Sequence, residues 1–402
     1  MDMTDKSLKT LSPEHALAAW SGIAEPGDTR IGALVERYGP EEALQWAAKP
    51  FREPRVEETA GPPWRLVHER IRLRLQNLDL ERELNALTAL GGTLLTKDEP
   101  AWPEALDALG PAAPFALWVL GRPPEPSQSC VALVGARAST AYGNAVATNL
   151  AFELSSAGIC TVSGGAYGID SAAHRGALKG FRPVEGAKAL PTVAVLCGGL
   201  GNLYPAGNTS LFSQIVANGG GLLAEMPPSY RPARWRFLER NRIIAALSEV
   251  TIVAEAGVRS GAIASANRAV ELGREVGAIP GPVTSATSSG ANQLLKDGAH
   301  VITETSDVTA LLGQVDQHES GSLFDLPEQV RTWQSQNPSK LDVVDPLERR
   351  AWDALPRRGG ASLEQAATES GLSVGEVRMG LLGLEAQGLA TVSDTGHWGR
   401  VA

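Results

Sequence analysis

Seven short apolar runs fix what the middle of this chain can become. They are residues 131–134 (VALV), 159–162 (ICTV), 192–196 (TVAVL), 222–225 (LLAE), 250–255 (VTIVAE), 276–279 (VGAI) and 300–303 (HVIT). Each has four to six residues and almost no polar alternation, and about 20–30 residues with a helical stretch separate one from the next. A strand with one face in water alternates apolar with polar, so an unbroken apolar strand is covered on both faces. Strands alternating with helices in this rhythm predict an α/β fold with a doubly wound, Rossmann-like parallel sheet, running roughly from Cys130 to Gly313. Ligands of such sheets bind beyond the carboxyl ends of the strands.

The 402 residues exceed one ordinary domain. Residues 1–90 read as a small helical domain, with Ser12-Pro13 as a helix start and a longer helix over 64–77. That helix carries Arg65, Arg70, Arg72 and Arg74, a possible secondary basic face. Residues 91–313 form the extended Rossmann-like domain. Residues 314–342 are rich in Gln, Ser and Asp, with Pro327 and Pro338, and read as a linker. In 343–402, Asp345-Pro346, Ser362 and Ser373 with Glu376 each open a helix, and Asp394-Thr395-Gly396 turns a short hairpin. Three helices and a hairpin predict a winged helix. There is no internal repeat.

The three cysteines, Cys130, Cys160 and Cys197, form no C-x-x-C pair and sit in apolar surroundings, as small hydrophobes in a reducing compartment. The amino terminus lacks a signal-peptide pattern and no apolar run reaches 18 residues. A cytoplasmic protein with no membrane partner is expected. The formal net charge is −9, which argues against nucleic acid unless positive charge is local.

Three strand-to-helix loops share one chemistry. Gly135-Ala136-Arg137-Ala138-Ser139 follows the first run; its small residues let an anion approach a helix amino terminus, and Arg137 adds a planar, permanent charge. Ser163-Gly164-Gly165-Ala166-Tyr167-Gly168-Ile169-Asp170 follows the second. Arg259-Ser260-Gly261 follows the run ending at Glu255. One such loop could be a tight turn with a solvated arginine, but three at one sheet edge make an anion-binding rim. Between 231 and 242 lie five arginines, two aromatics and one acid. Arginine contacts phosphate, and aromatics stack on bases without reading sequence. The competing reading pairs Arg240 and Arg242 with carboxylates and puts Trp235 and Phe237 in the core.

Several chemistries are excluded. No G-x-G-x-x-G fills the first loop, and the second strand ends in Ser163-Gly164 where a ribose-binding carboxylate belongs. No G-K-[ST] exists, so there is no P-loop, and no cofactor is expected. His174 and Asp170 share a helix face, but an Asp in a first turn ordinarily serves the dipole and such a His packs or hydrogen-bonds. No H-E-x-x-H metal site is present. The G-x-S-x-G at 371–375 lies between helices and is no hydrolase elbow.

The motifs V-G-A-R-A-S-T-A-Y-G (134–143), S-G-G-A-Y-G-I-D-S-A-A-H-R-G-A-L (163–178), Y-P-A-G-N-T-S-L (204–211), F-L-E-R-N-R-I-I-A-A-L-S (237–248), E-A-G-V-R-S-G-A-I (255–263) and P-G-P-V-T-S-A-T-S-S-G-A-N-Q-L-L-K-D-G-A (280–299) resemble, in order, the DNA-processing protein A (DprA/Smf) family. The likeness covers nearly all of the core. More loosely, the first block resembles a sterile-alpha-motif-like module and the last a winged helix. The segment 180–191 looks longer than usual, and Gly201 stands where an aspartate is common. The resemblance implies a protein without catalysis that binds and protects incoming single-stranded DNA in natural transformation. It also implies loading of the RecA recombinase and a homodimer through the Rossmann-like core. It places DNA contacts on Arg137, Arg234, Phe237, Arg240 and Arg242, with Arg175 a further basic contact. The loop residues Ser139, Ser163, Gly164, Asn241, Ser260 and Gly261 complete the expected DNA surface.

Two other functions remain open. Nucleotide phosphoribohydrolases of the cytokinin-activating group have similar glycine-rich loops, but their later turn carries a catalytic glutamate, and residues 258–266 here hold no acid. The terminal unit could read duplex DNA, yet residues 346–402 hold six basic and seven acidic residues, where a duplex reader is more basic.

Overall fold

The structure is a computed structural model and describes residues 11–56, 63–183, 189–313, 346–356, 359–370, 374–393 and 396–401. The residues up to 313 form one compact unit and those from 346 a second. The expected linker lies outside the described residues, as does part of the long segment 180–191.

The first unit opens with helices α1 (Pro13–Ile23), α2 (Thr29–Tyr38), α3 (Pro40–Ala48), α4 (Trp64–Asn77) and α5 (Leu80–Ala89). Their ends are written locally. Ser12 accepts from the His15 amide, Asp28 from Ile31 and Asp79 from Arg82. Each thereby satisfies an amide that the first turn leaves unpaired. The sheet and its helices follow: β1 (Thr93–Leu95), β2 (Leu117–Gly121), β3 (Cys130–Gly135), α6 (Ala141–Ser156), β4 (Cys160–Ser163), α7 (Ile169–Gly180), β5 (Thr192–Leu196), α8 (Thr209–Ala217), β6 (Gly221–Ala224), α9 (Arg234–Ala246), β7 (Val250–Glu255), α10 (Gly261–Glu271), β8 (Glu275–Ala278), α11 (Ser289–Lys296), β9 (His300–Val301) and α12 (Thr305–Leu311).

Strand order is β1-β2-β6-β5-β4-β3-β7-β8-β9. From β6 to β9 every pairing is parallel, whereas β1 and β2 are antiparallel. All seven apolar runs form strands, with ends shifted by a residue or two. The antiparallel strands β1 and β2 carried no expectation, because they lie before the strand–helix alternation begins.

Alternate residues of one strand enter opposite cores, as period-two geometry requires. Val193, Val195 and Leu223 join Ile243 and Ile244 of α9 and Ala262 and Ala266 of α10. Ala194, Leu196, Leu222 and Ala224 face the other way, into a cluster with Trp118 of β2, Phe212 of α8, and Trp20, Ile31 and Leu44 of the amino-terminal helices. The helices before residue 90 therefore share a core with the sheet. Polar ties cross the same boundary. Trp118 Nε1 donates to Ser21 Oγ at 3.0 Å, and the Tyr230 hydroxyl donates to the Gly22 carbonyl at 3.0 Å.

In the second unit, α13 (Pro346–Asp353), α14 (Leu363–Ser370) and α15 (Val374–Ala386) precede a two-stranded antiparallel sheet of β10 (Ala390–Val392) and β11 (Trp398–Arg400). Leu355, Ala366, Val377, Leu381, Leu384 and Trp398 form its core. The expected caps Asp345 and Ser373 and the turn residues Asp394 and Thr395 lie outside the described residues, as does 371–373 of the G-x-S-x-G segment.

Trp118 is fully buried and links the sheet to α1. Trp118→Ala should therefore cost about 3–5 kcal/mol and remove the donor to the Ser21 hydroxyl, which keeps its own bond to the Ala18 carbonyl. A lowered denaturation midpoint of the first unit checks it; an unchanged midpoint would deny that the two halves share a core.

Candidate nucleic-acid interface

β3 pairs with β4 on one side and β7 on the other, and the chain order reverses between them. This is the topological switch point, where the loops after neighbouring strands part and leave a crevice. A cavity of about 320 Å³ opens there, lined among others by Arg137, Asp170, Phe237, Arg240, Ser260 and Ser265. At that size it suits a ligand no larger than about one nucleotide.

The loops are held by buried groups. Glu255, at the end of β7, is 2% exposed. Its carboxylate accepts from the Thr140 amide (2.7 Å), the Thr140 hydroxyl (2.8 Å) and the Thr287 hydroxyl (2.9 Å). Thr140 also caps α6 by accepting from the Gly143 amide. Gly143 is required there, since a Cβ would lie 2.2 Å from the Glu255 carboxylate. Ser163 is fully buried and donates to the Leu133 carbonyl at 2.7 Å, tying β4 to β3. Ser260 caps α10 by accepting from the Ala262 amide, and Asn241 donates to the Gly261 carbonyl at 3.3 Å. Ser139 donates to Asn144 Oδ1 at 2.7 Å.

Helix α9 supplies the outer wall. Its Phe237 receives the Arg137 guanidinium 4.5 Å from the ring centroid, and the Tyr204 ring meets it edge-on at 5.6 Å. Arg137 and Tyr204 are exposed, so cation and aromatics are presented together at the mouth. Trp235 is also exposed; its Nε1 donates to Glu25 at 3.2 Å, and Arg236 reaches the same carboxylate. Arg74 of α4 pairs with Glu25 at 2.5 Å. Burial raises the Glu25 pKa, but the Trp235 hydrogen bond and the charges of Arg74 and Arg236 outweigh it and hold the group below the ordinary carboxylate range.

Deeper in, Arg240 is 7% exposed and its Nη1 donates to the carbonyls of Gly164 (2.7 Å) and Val195. Gly164 admits it: a Cβ would lie 2.2 Å from the guanidinium. Burial lowers the Arg240 pKa, and the charge of Asp170 opposes that. Asp170 accepts from the Ala166 amide at 3.2 Å. Burial raises its carboxyl pKa against the opposing charges of Arg240 and Arg137.

The structure thus sorts the residues named from sequence. Arg137, Phe237, Arg240, Asn241, Ser260 and Gly261 line the cavity. Ser163 and Arg242 do not reach it. Arg242 was expected on the DNA surface, but its guanidinium makes a buried two-pronged pair with Glu225 at 2.6 and 2.9 Å and donates to Ala112. For that arginine the carboxylate-paired alternative holds. Arg175 is exposed on α7, outside the cavity wall, and Arg234 opens α9 with its side chain outside the described residues. The basic face of α4 is partly neutralised, since Arg70 pairs with Asp28 and Arg65 with Glu69. Sequence reasoning missed Glu255, Tyr204, Ser265 and Glu25. Tyr204 and Glu255 had a signal, since both stand in the quoted motifs, Tyr204 before Pro205 and Glu255 at the end of an apolar run.

His174 is sealed. It is fully buried, 2.7 Å from the Thr192 hydroxyl, which itself donates to the Thr161 carbonyl. The imidazole Nδ1 must therefore be the donor. Burial, reinforced by Arg175 and Arg240, brings its pKa to about 3.

The profile of the family described as DNA recombination-mediator protein A matches residues 93–313, from the first edge strand through the whole crevice. The chain belongs to this family. The DNA processing protein DprA assigned in Mycobacterium tuberculosis is 39% identical over 396 residues, covering 96% of this chain and 93% of its own. Protein Smf of Escherichia coli is 34% identical over 286 residues, 71% of each chain. The X-ray structure of DprA from Streptococcus pneumoniae superposes with a TM-score of 0.58 at 27% identity, covering 77% of this chain and 99% of that one. The recombination-mediator family is thus reached both from the quoted motifs and from the doubly wound fold.

A histidine depressed to about 3 from 6.5 takes up its proton in the unfolded chain first. Its contribution to stability is complete above pH 6.5 and falls as pH drops, by about 1.4 kcal/mol per pH unit towards pH 3. His174→Gln should flatten the acid limb of a stability–pH curve between pH 6.5 and 4.5. An equally steep limb in the variant would refute the assignment.

Proposed function

We propose that the crevice binds single-stranded DNA and that the protein acts as a recombination mediator which protects incoming strands and hands them to RecA. The observation that carries this is the Arg137–Phe237–Tyr204 group, with Arg137 and Tyr204 exposed and Phe237 half-buried between them, at the mouth of a one-nucleotide cavity. Single strands offer unstacked bases to aromatic faces and phosphates to guanidinium groups, and need no groove-reading helix. The amino terminus of α10, at Ser260 and Gly261, lines the same cavity, and its positive dipole end favours an anion there. Membership of a recombination-mediator family supports the reading, and so does the sealed state of His174, which leaves the crevice without an accessible general base of that type.

The same proposal assigns residues 1–90, 91–313, 314–342 and 343–402 to a helical domain, the DNA-binding domain, a linker and a winged helix with an auxiliary role. It includes a homodimer through the Rossmann-like core and a cytoplasmic site of action. No helix among the described residues is long and apolar enough to cross a membrane.

Titration of single- and double-stranded oligonucleotides at two salt concentrations tests it. Single strands should bind more tightly, with log K falling linearly against log salt as counterions are released. Arg137→Glu should weaken binding by about tenfold or more with unchanged circular dichroism, and Phe237→Ala should weaken it comparably. Arg240 is a poor probe, because its replacement strands Asp170. Equal affinity for both DNA forms, or normal binding by Arg137→Glu, would sink the assignment. Removing residues 343–402 should leave most of the single-strand affinity, and the full chain should accelerate RecA assembly on coated single strands.

A further inference from the structure

Exposed apolar surface on α9 extends beyond the crevice. Trp235 is 55% exposed and Leu238 52%. Three apart on a helix, they are neighbours on one face. Leu238 lines the cavity and Trp235 stands outside the lining, so the pair runs from the lip of the crevice onto the outer surface. Single exposed apolar side chains are ordinary. This tryptophan is set apart by the way it is held. Its Nε1 donates to Glu25 Oε2 at 3.2 Å, and the Arg236 guanidinium lies 5.8 Å from its ring centroid. Glu25 is fixed in turn by Arg74 of α4. The ring therefore stands in water in one orientation, and a ligand that meets it has little left to order. Arg74 and Arg236 spend their charge on Glu25, so the ring offers stacking rather than attraction.

Building on the single-strand reading above, we propose that Trp235 is a second contact site for the strand, outside the crevice. A base flanking the nucleotide held at the crevice stacks on the indole as the strand leaves over Leu238 towards the amino-terminal helices. Every base has a π-face, so the platform takes any sequence, and an indole is a large surface for it. A duplex keeps its base faces inside its own stack, so the platform serves single strands alone. A protein partner fits less well. A stable protein interface uses about 20–30 residues a side, whereas two apolar side chains beside paired charges match one base. Glu25 is then a positioning residue: it holds the indole from the loop between α1 and α2, which gives the amino-terminal helices a part in binding without a phosphate contact of their own.

The test is fluorescence anisotropy on the full chain with two oligomers of equal length, one all dT and one with a single dT among abasic sites. Both carry the same phosphates, but only the first can fill the crevice and the platform together. Trp235→Ala should weaken the all-dT oligomer roughly fivefold or more and the single-base oligomer less than about twofold. The slope of log K against log salt should stay as in the wild type, because stacking releases no counterions. Trp235→Phe, which keeps a ring but cannot donate to Glu25, should regain most of the loss. The side chain is exposed and Glu25 keeps both arginines, so the variants should fold as the wild type does. Normal all-dT binding by Trp235→Ala would overturn the platform and leave the tryptophan to a protein partner. An equal loss on both oligomers, a changed salt slope, or no recovery in Trp235→Phe would overturn it as well. If the wild type bound neither oligomer, the single-strand reading itself would fall.

Discussion

The crevice hangs on a buried guanidinium. Arg240 leaves α9, passes beneath the carboxyl ends of β4 and β5, and is held by the carbonyls of Gly164 and Val195, with Asp170 as its balancing charge. A lone charge at that depth would be prohibitive; paired and hydrogen-bonded, it is a strut. It fixes where α9 starts its run across the sheet, and so where Phe237, one turn earlier, meets Arg137. It also explains the glycine after β4, which leaves room for the guanidinium. On the other side of the switch point Glu255 does the matching work, gathering Thr140 and Thr287 so that two loops share one anchor.

The parallel strands were legible because burial on both faces erases polar alternation, and the spacing then announces the helices. β1 and β2 were not, since antiparallel strands at a sheet edge have no such rhythm. Among the site residues, loop position was legible and depth was not. Sequence shows that five arginines cluster between 231 and 242 but not which of them find carboxylates. Arg242 finds Glu225, Arg236 finds Glu25, and Arg240 finds carbonyls. Ser163 looked like a loop hydroxyl and proves to be a tie between strands. Ser265 had no signal, because an alanine-rich helix hides which residue turns towards a cavity.

The acidic net charge and the cationic mouth are reconciled by these pairings. Most of the basic residues quoted from α4 and α9 already have an acid beside them, so their charge is spent inside the fold. Arg137 is different: its partner is an aromatic face, which leaves the full charge facing outward. Attraction is confined to one opening rather than spread over a surface, which suits a ligand held at a point more than a rod gripped along its length.

The span matched by the family profile starts at Thr93, but the sheet does not end its packing there. Trp118, Leu196, Leu222 and Phe212 turn one face towards Trp20, Ile31 and Leu44. A fragment cut at that boundary would bare a broad oily surface to water, of the kind that drives clumping. It would also lose the Glu25 tether on Trp235 and Arg236. The five leading helices therefore act as a lid for half of the sheet and as a brace for the start of α9, and the autonomy suggested by their place in the sequence is not an autonomy of folding.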